Sequence, residues 1–108
     1  MPIRRTYRGT LKGVGYDYQR LERDLLAILY SLHGILTESE SEEVRHFVEH
    51  GEYGVALETL SGIIDAEGKR ISFEAYEQIH GLGERMEMEP EVWECLRGSI
   101  INSGHDLR

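Results

Sequence analysis

An all-α fold, a single compact domain of about five helices with a short central helical hairpin, is what this 108-residue sequence predicts. Three observations carry that expectation. Apolar residues recur at the i, i+3, i+4 spacing that lines one face of a helix. The breaks between these stretches hold helix punctuation: Asp17, Ser39 and Ser72 as caps, Pro90 as a first-turn residue, Gly34 and Gly51 near helix ends. No strand pattern, fixed-period repeat or low-complexity segment competes.

In chain order, residues 1–15 read as an irregular basic N-terminal arm, because Gly9, Gly13 and Gly15 interrupt them and no period is sustained. Arg4, Arg5 and Arg8 around Tyr7 are too few, and lack the stacking series, to make an RNA-binding surface. The arm is expected to pack on the acidic body. A helical domain follows over 16–104, with 105–108 as a tail.

Asp17 opens the first helix, which carries Leu21, Leu25, Ile28, Leu29, Leu32, Ile35 and Leu36 on one face, with Leu26 and Tyr30 widening the apolar arc. As the most hydrophobic element it is expected at the centre of the core, ending near Gly34. Thr37 to Ser41 connect onward, and Ser39 with Glu42 three residues later forms a capping box.

Residues 42–64 form the central hairpin. Val44, Phe47 and Val48 make the inward stripe of its first helix, leaving Glu42, Glu43, Arg45, His46, Glu49 and His50 on a polar arc. In its second helix Tyr53, Ala56, Leu57, Leu60, Ile63 and Ile64 point inward, while Gly54, Glu58, Ser61, Gly62 and Asp65 are expected outside. Gly51 suits the left-handed position at which the chain reverses. Val55 stands off the apolar stripe, as a loop support or a small apolar contact within a polar interface.

Ser72 caps a fourth helix whose inward face is Ala75, Tyr76, Ile79, Leu82 and Met86. Gly81 and Gly83 weaken it by about 1 kcal/mol each relative to alanine, so a break near Gly81 is an alternative. Pro90 starts a fifth helix with Val92, Trp93, Leu96 and Ile100 inward, and Asn102-Ser103-Gly104 ends regular structure.

Charge narrows the function classes. Net charge is −8, but residues 1–20 carry +4, so the remaining 88 hold −12. An acidic body repels nucleic acid and favours basic partners, among them nucleases, whose grooves bind phosphates. Cys95 is the single cysteine, which excludes an internal disulfide and suits a reducing compartment; on a helix it is expected to be a small core residue. No stretch approaches the ~20 apolar residues of a membrane span, and Arg4-Arg5 lacks the apolar run of an export signal, so a cytoplasmic protein is expected.

The strongest catalytic string is His46-Phe47-Val48-Glu49-His50, which fits the H-x-x-E-H pattern of inverted zinc peptidases. Its context does not fit: the helix ends at Gly51, and no motif supplies a third acidic ligand. His33, His80 and His105 have no motif neighbours, and Gly81-Leu82-Gly83 follows no strand, so it is no phosphate loop. Glu84, Glu87, Glu89, Glu91 and Glu94 form a second acidic run. Trp93 and Tyr76 sit at core spacing. No catalytic residue, cofactor, metal or small-molecule substrate is expected.

Glu43-Val44, Phe47-Val48, Gly51-Glu52-Tyr53-Gly54 and Ala56-Leu57-Glu58 with Leu60 resemble the central signature of the MafI family of immunity proteins, and the likeness extends more loosely from Arg20 to Leu96. The resemblance implies a small cytoplasmic protein that binds and neutralises a toxin domain, often a nuclease, delivered between competing bacteria. It gives a function but no site, because the signature's apolar residues and glycines account for themselves as scaffold. Toxin-binding candidates therefore come from the polar arc and the turn after it: Glu42, Glu43, Arg45, Glu49, Glu52 and Val55. The expected partner is a basic nuclease domain, with no direct contact to nucleic acid or membrane. An acidic helical adaptor without a toxin partner is the alternative reading, and a zinc enzyme the third.

Overall fold

Asp17 caps the first helix as its position predicts, its carboxylate accepting from the Arg20 amide at 3.1 Å. The structure, a computed structural model, describes residues 17–101; the basic arm over 1–15 and the tail over 105–108 lie outside the described residues. Among the described residues five α-helices follow in order: α1 (Tyr18–Ser31), α2 (Glu38–Glu49), α3 (Tyr53–Ala66), α4 (Phe73–Arg85) and α5 (Glu91–Glu94), then a 3₁₀ turn at Arg97–Ser99. The architecture is all-α, one small helical domain.

α1 packs against α2, α3 and α4, and its predicted stripe of Leu21, Leu25, Ile28, Leu29 and Leu32 is buried. The helix stops at Ser31 rather than continuing to Leu36. Gly34, at φ +95°, takes the chain out of helical geometry, and the Ile35 and Leu36 amides both donate back to the Leu32 carbonyl, at 2.9 and 3.1 Å. Leu36 thus reaches the core from a turn. Tyr30, expected to widen the apolar arc, is instead 83% exposed.

The capping box of α2 lies two residues earlier than Ser39 and Glu42 suggested. Thr37 Oγ1 accepts from the Glu40 amide at 3.0 Å, and Glu40 Oε1 accepts from the Thr37 amide at 2.9 Å. Both registers satisfy the spacing. A tertiary contact favours the earlier one: Lys69 Nζ lies 3.0 Å from Glu40 Oε1, tying the start of α2 to the loop after α3. The Thr37 amide's hydrogen bond, and then Lys69, hold the Glu40 carboxyl below its ordinary pKa.

The hairpin forms as predicted. Gly51, at φ +73°, follows α2, the Glu52 amide donates to the Phe47 carbonyl at 2.8 Å and the Gly51 amide to Val48 at 3.1 Å, and α3 returns against α2. Val44, Val48, Ala56, Leu57, Leu60 and Ile64 are buried, whereas Phe47 and Ile63 are half-buried. Two residues expected outside, Gly54 and Ser61, are buried as well. For Ser61 the reason is α5: its hydroxyl donates to the Val92 carbonyl, so α3 is covered on a second side.

α4 is capped by Ser72, whose hydroxyl accepts from the Ala75 amide at 3.0 Å, and it runs through Gly81 and Gly83 without a break. Gly83 has a packing reason. A Cβ there would stand 2.5 Å from the Trp93 ring, so the missing side chain lets the indole lie on the helix. After α4, Glu87 adopts φ +58° between buried Met86 and Met88. The fifth helix is far shorter than its apolar spacing suggested. Ile71 donates to the Ser99 carbonyl at 2.9 Å and accepts from the Ile101 amide at 2.8 Å, drawing the chain into an isolated bridge beside Ile71. Cys95, expected in the core, is exposed.

Candidate protein-binding groove

The sharp reversal after α1 leaves an open groove of about 800 Å³ between the end of that helix and the outer side of α2. It is lined by Leu29, Tyr30, His33, Gly34, Leu36, Glu38, Ser41, Glu42 and Arg45. The local sequence explains this shape. Ile28, Leu29 and Leu32 turn inward, which leaves Tyr30 facing outward at the helix end, and Gly34 contributes no side chain to fill the space. On α2, Val44 and Val48 hold the helix on the core while Glu38, Ser41, Glu42 and Arg45 follow one another at helical spacing beside the groove.

Two of the six candidate residues, Glu42 and Arg45, line this groove. Glu42 is exposed and Arg45 half-buried. Glu49, seven residues beyond Glu42 and so on the same side of α2, is exposed but outside the groove. Glu43 is exposed elsewhere on α2. Glu52 is exposed at the start of α3 and makes no side-chain capping bond, and Val55 is half-buried on α3. The hairpin therefore gathers part of the candidate set and spreads the rest over adjoining surface.

Tyr30, His33, Glu38 and Ser41, with Leu29, Gly34 and Leu36, complete the groove and were not among the candidates. The signal for Glu38 and Ser41 was available in their four-residue spacing from Glu42 and Arg45 respectively. Tyr30 was masked by its apolar body, which reads as core wherever a helix is rich in leucine.

The groove's charges are unengaged by the ion pairs among the described residues. Among the described residues those pairs are Arg85–Asp24 at 2.6 Å and Lys69–Glu40 between elements, with His80–Glu84 and the longer Arg20–Asp24 contact within α4 and α1, and none of them uses Glu38, Glu42 or Arg45. A second depression of about 450 Å³, between α1 and α4, differs in this respect, because Asp24 and Arg85 on its walls already bind each other.

His46 and His50 stand side by side on exposed α2, their ring centroids 4.3 Å apart, and His50 Nδ1 donates to the His46 carbonyl at 2.8 Å. Among the described residues, no group of three or more His, Cys, Asp or Glu side chains converges as metal ligands would. No helix among them is long and apolar enough to cross a membrane.

Fold and groove together define a small all-α domain with an open groove lined by both polar and apolar side chains. No family model, curated protein or solved structure matches the chain. These comparisons lend no support to the MafI signature read from the sequence, whose residues lie on the hairpin. Val44, Val48, Tyr53, Gly54, Ala56, Leu57 and Leu60 of that signature are buried and Gly51 makes the turn, so these positions serve the scaffold.

Proposed function

We propose that this protein is an immunity-type inhibitor: it binds the toxic domain of a cognate effector, a nuclease with a basic active-site groove, and neutralises it by electrostatic and steric occlusion. One observation carries the reading. Glu42 and Arg45, chosen from sequence as contact residues, share with Glu38 and Tyr30 an open groove whose charges the ion pairs among the described residues leave unused. Charged and tyrosine side chains held ready on a rigid helical surface suit protein recognition, and the surplus of carboxylates suits a basic partner. The toxin class comes from the resemblance of the α2–α3 hairpin to MafI proteins.

The test is to look for a toxin gene beside this protein's own, purify the nuclease domain it encodes and assay that domain with increasing protein. The expected result is a stoichiometric complex in which nuclease activity falls to background. A complex with full nuclease activity would instead support an acidic helical adaptor, and absence of any complex would overturn the inhibitor reading.

A further inference from the structure

We infer that the α1–α2 groove seats an arginine side chain of the partner, its guanidinium lying on the Tyr30 ring and held by the carboxylates of Glu38 and Glu42. This deepens the inhibitor reading and rests on it for the partner's identity. The chemistry is local to the groove.

Glu38 and Glu42 are four residues apart, so they stand one above the other on the same side of α2, and both line the cavity. Like charges at this spacing repel each other and weaken a helix. Glu38 has a compensation within the fold, because a carboxylate in the first turn interacts favourably with the helix dipole. Glu42, in the second turn, has far less of it. A cation arriving from outside relieves the repulsion at both.

Tyr30 selects the kind of cation. At 83% exposure it leaves its ring open at the groove, where a cation is attracted to the aromatic face. A guanidinium is flat, so it stacks on the ring while its edge donates in parallel to a carboxylate. An ammonium group can do only one of these well.

Arg45 sets direction. It lies seven residues beyond Glu38, roughly 10 Å farther along the helix axis. The groove is therefore negative at the start of α2 and positive in its third turn, which fits an arginine followed by a carbonyl or carboxylate in the same partner segment. An anionic ligand at Arg45 alone is disfavoured by Glu42, one turn away.

The probe is a capped tri-arginine peptide titrated into the full chain and followed by amide ¹H–¹⁵N shifts, with capped tri-lysine in parallel. The amides of Tyr30, His33, Glu38 and Glu42 should move first, with tri-lysine binding more weakly by roughly threefold. Tyr30→Leu and Glu42→Gln should each weaken tri-arginine binding by roughly threefold or more, while Tyr30→Phe keeps it. Both positions are exposed, and melting temperatures confirm that the three variants fold. Shifts led instead by the Glu84 to Glu94 run, or Tyr30→Leu binding like wild type, would overturn the arginine site. Loss of peptide binding specificity with toxin inhibition intact removes this inference alone; specific peptide binding with no toxin inhibited removes the inhibitor reading alone.

Discussion

Gly51 and Glu87 occupy equivalent positions at the ends of α2 and α4. Each has positive φ, and each lies in a turn where the following amide reaches back five residues: Glu52 to Phe47 at 2.8 Å, Met88 to Gly83 at 2.9 Å. Gly68, after α3, repeats the pattern with Lys69 donating to Ile64 at 3.0 Å. Two of these turns use the residue that enters the left-handed region without steric penalty, and the third uses a glutamate that does not. The hairpin is thus specified where it bends. The α4 turn is held from its flanks, by Met86 and Met88 in the core and by Trp93 lying on Gly83. Local chemistry makes the first reversal, and packing imposes the second.

The largest effect should come where the two regions meet. Leu57 of α3 is fully buried and would lie 3.7 Å from a Cβ at Gly83, so Leu57→Ala should cost about 2–5 kcal/mol. Phe47→Ala, at a half-buried position of the same hairpin, should cost less. Chemical denaturation measures both; equal losses would mean that α2 is as deeply packed as α3.

Next come the two glycines of α4. Gly83→Ala forces its methyl into the Trp93 ring and should destabilise by about 1–3 kcal/mol before any gain in helix propensity. Gly81→Ala meets nothing within 4 Å and should stabilise by about 0.5–1 kcal/mol. Indole fluorescence should shift for the first variant and not the second. A stabilised Gly83→Ala with unchanged emission would remove the claim that Trp93 packing governs this end of the molecule.

The turn itself gives a gain. Glu87→Gly should relieve the left-handed penalty and raise stability by up to about 1 kcal/mol, whereas Gly51→Ala should lower it by a comparable amount. Opposite signs in thermal melts would establish that identical hydrogen-bond patterns rest on different causes.

The smallest effect is pH-dependent. The Glu40 carboxyl is held below its ordinary value by the Thr37 amide and then Lys69, so its contribution is present above the unfolded pKa of 4.5 and is lost as pH falls through the lower folded value. Glu40→Gln should flatten the acid limb of the stability profile through that window. An unchanged limb would show that the box and its lysine contribute nothing measurable.

Much of this fold was legible because its information is short-range. Asp17 and Ser72 as caps, Gly51 as the turn, and the stripes of α1, α2 and α3 depend on residues within one or two turns of each other. The groove was legible in part. Glu42 and Arg45 announced a polar side of α2, but nothing local says that Tyr30 is uncovered, since its exposure depends on where neighbouring helices stop. Ser61 was misread for the converse reason: its own helix marks it as outward, and α5 buries it from 31 residues away in sequence.

By itself, the sequence determined the helical class, the order of the helices, most of their inward faces and the acidic character of the surface, because periodicity and charge are properties of residues near one another along the chain. Tertiary structure decided between the two capping registers at the start of α2, through Lys69 on Glu40. It also decided the short fifth helix, through the hydrogen bonds at Ile71, and the left-handed glutamate, through its buried methionine neighbours. Each of these choices sets a small local preference against a contact between residues distant in the chain. The contact prevails because burial and cross-chain hydrogen bonding outweigh the modest differences among local conformations.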